Sequence, residues 1–411
     1  MVKKIKVVLF VTTLEGGGAE RFIANLANSL DKKKFDVIVV CKLDKKSYRL
    51  DNGVKFFALL PSFSLLVQKY YWFARFFFGN LGSRFVARSV GSGGRSELPY
   101  KVTLLTKLSV WLFSFLLKRE KPDLVFSALR SSNLTSILSA KNFSHPIIVS
   151  ERIFPFDENV YPAAPILGFY KFADCVVVNS VETKKFFHSK FGLPAQKITC
   201  IYNPVDVRKI IIRSRENVSH KWFLQKNIPV VVAVGRLDNV KGFDVLLNAF
   251  VLVKKIVDYR LVVLGKGSEK KSLVELAKNL GISGSVEFLG WQDNPFKFVA
   301  KADVFVLSSR YEGLPNVLLE AMALGKACVS TDCRSGPKEI ITNNVNGLLV
   351  PVDDEKKLAK AIIRVLTDKK LKAKLEKNAK KRAKNFDSKK IIKQFEKLFI
   401  ETINKKKKLN N

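Results

Sequence analysis

The run Val304-Phe305-Val306-Leu307-Ser308-Ser309-Arg310-Tyr311-Glu312-Gly313-Leu314-Pro315-Asn316-Val317-Leu318-Leu319-Glu320-Ala321-Met322-Ala323-Leu324-Gly325 decides the fold. Four apolar residues without polar alternation read as a strand covered on both faces. Pro315 suits the first turn of a helix, and Gly325 ends that helix. A strand feeding a helix is the repeating unit of a parallel α/β sheet. The helix start also offers unpaired N–H groups and a positive dipole end to an anion. Glu312 stands just before it and Glu320 about one turn inside. Two acids so placed can hold hydroxyl groups on opposite sides of a bound diphosphate.

The same rhythm extends in both directions. Downstream of Asn203, strands are expected at Ile228–Val234, Arg260–Leu264, Val286–Leu289, Ala327–Ser330 and Gly347–Val350. Upstream they are expected at Ile5–Thr12, Phe35–Cys41, Val54–Leu60, Asp123–Ser127, Pro146–Ser150, Cys175–Asn179 and Ile198–Ile201, with a helix from Ala19 to Leu30. Pro204–Asn227 is mostly polar and carries no sustained strand pattern, which puts a boundary near Asn203-Pro204. The 411 residues suit two or three domains. The expected architecture is α/β, with two doubly wound Rossmann-like domains facing across a cleft and ligands at the strand carboxyl ends. Residues 1–203 form the first domain and 204–385 the second. Residues 386–411 form a C-terminal helix returning to the first domain, with a Lys-rich tail.

Lys and Arg number 72 against 36 Asp and Glu, a formal charge of +36. A field of that strength implies an anionic partner: membrane surface, nucleic acid or phosphorylated substrate. Cys41, Cys175, Cys200, Cys328 and Cys333 are scattered, and with three His they offer no zinc constellation. A reduced, cytoplasmic setting follows. Neither a secretory signal peptide nor a membrane-spanning run is expected, because the longest charge-free apolar run, Leu108 to Leu117, falls well short of the roughly 18 residues needed.

One block breaks the rhythm. Residues 61–118 hold thirteen aromatics, four Lys and four Arg against the single acid Glu97. Aromatic residues interleaved with cations describe an element lying in a membrane interface. A helical pair packed on the first domain accounts for the block equally well. Gly91–Gly94 reads as a flexible loop between its halves.

Two further motifs follow first strands. Gly235-Arg236-Leu237-Asp238-Asn239-Val240-Lys241-Gly242 places two cations at a strand's carboxyl end, able to neutralise a diphosphate leaving group. Glu15-Gly16-Gly17-Gly18-Ala19-Glu20-Arg21 lets backbone approach a ligand closely, or forms a plain tight turn. It is not G-x-G-x-x-G, and no acid ends the second strand at Cys41, which disfavours a dinucleotide site.

These residues resemble the GT-B glycosyltransferases of family 4, retaining enzymes that use nucleotide sugars. Gly16–Arg21, Gly235–Gly242, the Glu312/Glu320 pair and Ser330–Ile340 match in order and context. The last run looks like the subset acting on lipopolysaccharide, capsule or lipid-linked oligosaccharide. The resemblance implies Arg236, Lys241 and Glu312 as catalytic residues. It implies Arg236 and Lys241 on the donor diphosphate, Glu320 on the ribose, Glu312 against the transferred sugar, and the backbone of Gly313, Leu314, Pro315, Asn316 and Val317 on phosphate and sugar. Gly16 and Gly17 would lie near the reacting region. No metal and no cofactor are expected. Where many members carry a His, this chain has Ser150-Glu151-Arg152. Glu151 and Arg152 are therefore acceptor-side candidates or an inter-domain salt link, and His145, His188 and His220 are structural or solvated.

The expected activity is transfer of a hexose or N-acetylhexosamine from a nucleotide sugar, a UDP-sugar by preference, to a lipid-linked or surface-polysaccharide acceptor. The enzyme would sit peripherally on the inner face of the cytoplasmic membrane, with no nucleic acid bound. Two rival readings stand beside it. One is a basic nucleic-acid or membrane-surface binding protein without catalysis. The other is a GT-B nucleotide-sugar epimerase or hydrolase.

Overall fold

Buried strands place the backbone where the sequence pattern asks. The computed structural model describes residues 3–60, 104–140, 145–154, 164–224 and 227–410. Two compact units emerge, one of residues 1–179, 183–201 and 392–411, the other of residues 180–182 and 202–391. The change of unit thus falls at 201/202 where the sequence suggested 203/204, and the second unit runs on to Ile391 where the sequence suggested 385.

In the first unit, seven parallel strands lie in the order β3-β2-β1-β4-β5-β6-β7. They are β1 (Ile5–Val11), β2 (Phe35–Leu43), β3 (Val54–Leu60), β4 (Leu124–Ala128), β5 (Ile147–Glu151), β6 (Cys175–Val178) and β7 (Ile198–Cys200). Val7 through Val11 are fully buried because helices cover both faces. Helix α1 (Gly18–Ser29) follows β1, α2 (Leu104–Glu120) precedes β4, and α3 (Arg130–Ala140) follows β4. Phe113 of α2 stacks on Phe10 of β1, their ring centroids 4.2 Å apart. β2 runs two residues beyond the expected end, through Lys42 to Leu43, and Asp44 follows it. The strand end expected at Cys41 is therefore corrected to Leu43.

The second unit is a six-stranded parallel sheet in the order β10-β9-β8-β11-β12-β13. Its strands are β8 (Val230–Val234), β9 (Arg260–Leu264), β10 (Val286–Gly290), β11 (Val304–Leu307), β12 (Cys328–Thr331) and β13 (Leu348–Val350). Two helices position its loops: α4 (Phe243–Lys254) after β8 and α5 (Asn316–Ala323) after β11. Apolar clusters fill both faces, one built on Phe250, Tyr259 and Leu358, the other on Phe305, Leu318 and Met322. The polar stretch after Asn203 contains short helices at Val207–Ser214 and Lys221–Leu224.

The last helix, α6 (Ser388–Asn410), belongs to the first unit from Ile392 onward. There Phe395 packs on Phe22 and Phe126, and Phe399 on Phe35 and Phe126. Lys406 reaches Asp174 at 2.8 Å. Of the aromatic basic block, residues 61–103, with the Gly91–Gly94 loop, lie outside the described residues. Its remainder is α2, where Phe113 and Leu117 are buried while Trp111 and Phe115 are 56% and 61% exposed. No described helix is long and apolar enough to cross a membrane.

Candidate functional site

The second unit gathers the strongest motifs at the carboxyl ends of β8 and β11. After β8, Gly235 donates its N–H to the Leu264 carbonyl and Leu237 to that of Lys266. The loop lies so close to 265–267 that a Cβ on Gly265 would meet the Gly235 carbonyl oxygen at 1.8 Å. Only glycine permits that approach. Arg236, 67% exposed, leans on the Asp238 carboxylate. A single 3₁₀ turn, Asn239–Lys241, leads to Gly242, whose φ of 58° starts α4.

Lys241 and Glu312 meet directly. Lys241 Nζ donates to Glu312 Oε1 at 2.6 Å, and Ser309 Oγ donates to the same oxygen at 2.7 Å. The side chains are 20% and 10% exposed, so the pair is only partly hydrated and stronger than a surface pair. Ser308 Oγ holds the Lys241 carbonyl at 2.9 Å, tying the β8 and β11 loops together.

Arg310 completes that tie, and nothing in the sequence pattern marked it. Its guanidinium donates to Asp244 at 2.6 and 2.9 Å, to Asp353 at 2.7 Å and to the Asn239 carbonyl at 2.7 Å. Burial alone would raise the Asp244 pKa. The Arg310 hydrogen bonds and charge outweigh burial and hold the carboxyl below its ordinary value. Bonding to Asp244 in turn raises Arg310.

From Glu312 the chain runs through Gly313 and Leu314 to Pro315, the N-cap of α5. The first-turn amides of α5, from Asn316 and Val317, have no partner within the helix. Asn203 Nδ2 donates to the Leu314 carbonyl at 3.0 Å and to Asn316 Oδ1 at 2.7 Å, and Ser335 Oγ donates to the Gly313 carbonyl at 2.9 Å. Gly336 has φ 92°, and a Cβ there would lie 2.6 Å from the Gly313 oxygen. Glu320 stands half-buried one turn into the helix. At the other end, Gly325 N–H bonds the Met322 carbonyl and Lys326 N–H that of Ala321, a Schellman stop with Gly325 at φ 71°. The second unit therefore brings Lys241, Glu312 and the start of α5 into one braced loop cluster.

The first unit holds the remaining candidates. Gly16 has φ 78°, Gly17 is the N-cap of α1, and Tyr48 OH donates to the Gly17 carbonyl at 3.2 Å. Glu151 and Arg152 are 1% and 6% exposed. Glu151 accepts from Arg130 Nε at 3.3 Å and from Tyr170 OH at 3.1 Å, while Asn133 Nδ2 donates to Tyr170 OH at 2.7 Å. Burial pushes the Glu151 carboxyl up despite Arg130 and Tyr170. The Arg152 guanidinium stacks 3.5 Å from the Phe22 ring centroid. The salt link of Glu151 is thus made inside its own unit, with Arg130, and not between domains.

The three His hold structural contacts or lie aside. His188 Nδ1 bonds the Leu193 carbonyl, His220 Nε2 bonds Glu287, and His145 is partly desolvated. All five Cys are free thiols, and among the described residues no group of three His, Cys, Asp or Glu gathers.

Known proteins align with these features. The family described as "Glycosyl transferases group 1" matches residues 214–382, and "Glycosyltransferase Family 4" matches residues 16–209. An uncharacterized glycosyltransferase of Methanocaldococcus jannaschii is 31% identical over 338 residues, spanning 70% of this chain and 81% of that protein. A Campylobacter jejuni protein named GalNAc-alpha-(1->4)-GalNAc-alpha-(1->3)-diNAcBac-PP-undecaprenol alpha-1,4-N-acetyl-D-galactosaminyltransferase is 30% identical over 408 residues, 97% of this chain and 99% of its own. Among solved structures, HepE of Anabaena in complex with UDP superposes with TM-score 0.75 at 19% identity, covering 97% of this chain and 100% of that one.

Proposed function

Because the chain belongs to the group 1 and family 4 glycosyltransferases, with the GT-B fold, we propose that it transfers a hexose or N-acetylhexosamine, with retention, from a UDP-sugar to a lipid-linked or lipopolysaccharide acceptor. The observation that carries this reading is the Lys241–Glu312 pair beside the start of α5. Departure of a nucleoside diphosphate builds negative charge on its phosphate oxygens. Fixed cations and helix N–H groups stabilise that charge without reorganising. Arg236 and Lys241 supply the cations, and the amides of Asn316 and Val317 supply the helix dipole end.

In this scheme Lys241 lies between Glu312 and the diphosphate. Glu312, held by Ser309, bonds the hydroxyls of the transferred sugar, and Glu320 bonds the ribose. Gly313, Leu314 and Pro315 line the path, and in the first unit the glycines Gly16 and Gly17 suit the backbone to close approach by a ligand. The acceptor hydroxyl attacks the anomeric carbon from the face the nucleotide leaves, the bond to the diphosphate breaks, and the hydroxyl proton passes to the departing phosphate oxygen. Glu151 and Arg152 serve acceptor binding indirectly, by holding Arg130 and the end of β5. Neither metal nor cofactor takes part in the scheme. Among relatives, the Campylobacter protein's name specifies an undecaprenol-linked substrate and HepE was solved with UDP; both support a UDP-sugar donor and a lipid-linked acceptor.

We also assign the enzyme to the inner face of the cytoplasmic membrane, as a peripheral protein. Exposed Trp111 and Phe115, one turn apart on α2 near Lys118 and Arg119, support that placement, as does the +36 charge. Membership of an enzyme family sets aside a non-catalytic basic binding protein. The test is E320A beside R236A. Each is expected to weaken UDP affinity at least tenfold and lower turnover, with NMR of the product reporting an unchanged anomeric configuration. Full donor affinity in both variants would refute the site.

A further inference from the structure

A lysine is buried at the carboxyl edge of the first sheet. Lys42, at the penultimate position of β2, is 4% exposed. Its Nζ donates one hydrogen bond, to Ser131 Oγ at 3.1 Å, and no carboxylate pairs with it among the described residues. An ammonium carries three N–H donors, so this one is under-served for so enclosed a cation. Desolvation by burial lowers its pKa.

Further polar groups come from the neighbouring strand and helix ends. Leu43 N–H bonds the Thr12 carbonyl, which brings the ends of β1 and β2 together. Thr12 Oγ1 and Ser132 Oγ lie 3.1 Å apart. Ser131 and Ser132 occupy the first turn of α3, whose opening amides lack partners within the helix. The turn that presents them passes through Leu129 at φ 75°, a conformation costly for a branched non-glycine residue. Hydroxyls, helix amides and a buried cation without a counter-ion form a cradle for a tetrahedral oxyanion.

We propose that Lys42, with Thr12, Ser131 and Ser132, binds a phosphate group carried by the acceptor. This rests on the reading above that the acceptor is lipid-linked, and hence carries phosphate. A lysine that only stitched β2 to α3 would be served as well by a neutral donor. An ammonium with two of its three N–H donors unspent, beside hydroxyls that can reorient, is suited to an incoming anion instead.

The test uses the full-length protein saturated with UDP, so that donor-side phosphate sites are filled. Inorganic pyrophosphate and a short prenyl-diphosphate-linked N-acetylhexosamine are titrated calorimetrically into wild type, K42M, K42R and S131A. K42M is expected to lose at least tenfold in affinity for both probes, S131A about threefold, and K42R less than K42M. UDP affinity, measured separately, stays within twofold. Equal probe affinity in wild type and K42M would overturn the proposal, as would parallel loss of UDP binding, which would assign the anion to the donor. Should K42M fail to fold, S131A and K42R decide: unchanged pyrophosphate binding in both refutes the site. If wild type binds pyrophosphate through Lys42 but never UDP, the functional reading fails and this site stands.

Discussion

Replacing Arg310 by Ala removes the tie between the two loops that carry Lys241 and Glu312, and its size can be estimated bond by bond. The Asp244 and Asp353 partners are 42% and 54% exposed, so each pair contributes only about 0.2–1 kcal/mol. The bond from the guanidinium to the Asn239 carbonyl, a charged donor on a backbone acceptor, contributes about 1.5 kcal/mol. The sum is about 2–3.5 kcal/mol, which lowers the melting temperature of a unit this size by roughly 4–14 °C. R310K keeps the charge but not the planar fork and is expected to recover less than half of that. The pH dependence has a definite sign. Asp244 has its folded pKa below its unfolded value, so the stabilisation is present above about pH 4 and is lost as pH falls through the folded value. The gap between wild type and R310A therefore narrows in acid. UDP affinity is expected to fall about three- to tenfold, because the Lys241 loop is no longer pre-organised. Scanning calorimetry at pH 7 and pH 3.5, with UDP titrations at pH 7, reads all three effects. Equal melting of R310A and wild type at pH 7 would show that Arg310 does not brace these loops.

Three other outcomes follow from the same geometry. G336A places a methyl group 2.6 Å from the Gly313 oxygen at a positive φ, so it is expected to cost about 2 kcal/mol and weaken UDP binding; normal melting and affinity would show that the 313–316 loop is not braced there. Glu151 has a raised folded pKa, so its contribution is fully present below about pH 4.3 and is lost as pH rises through the folded value; the stability of wild type relative to E151Q is expected to decline over that rise, and a pH-independent difference in chemical denaturation would contradict it. Replacing Trp111 and Phe115 together by Ser removes exposed apolar area from α2 and is expected to reduce sedimentation with anionic vesicles severalfold without lowering the melting temperature, whereas unchanged sedimentation would argue against this face.

Strand positions were legible because parallel strands buried on both faces must be continuously apolar, and runs such as Val304–Leu307 and Val230–Val234 admit few other readings. The braced loop was legible in part. Pro315, Gly325 and the two glutamates carry local signals that a linear reading detects. Arg310 does not, because its partners Asp244 and Asp353 lie 66 and 43 positions away and only the folded sheet brings them together. Asn203 marked a domain boundary in the sequence, yet its amide holds the helix that would receive the donor phosphates. Glu151 and Arg152 were read as acceptor-side candidates or an inter-domain salt link, and their burial was not legible because it depends on Tyr170, Arg130 and Phe22, which arrive from other elements.

Lys42 shows the same limit from the other side. The apolar run of β2 stops after Cys41, so hydropathy ends the strand there. Backbone pairing continues regardless, since Leu43 N–H bonds the Thr12 carbonyl and Leu43 registers with Leu60. That continuation carries an ammonium into the interior, a placement disfavoured by its desolvation cost unless something in the working state compensates it. Ordinary strand pairing can therefore hide a charged functional group from a reading based on hydropathy. A residue that violates its local pattern while its backbone obeys the sheet is the place to look for a ligand. By that reasoning Lys42 in the first sheet and the Lys241–Glu312 pair in the second are comparable: each puts a cation at a strand's carboxyl end beside a helix start. They differ in that Lys241 has a carboxylate to share it with, whereas Lys42 has only a hydroxyl.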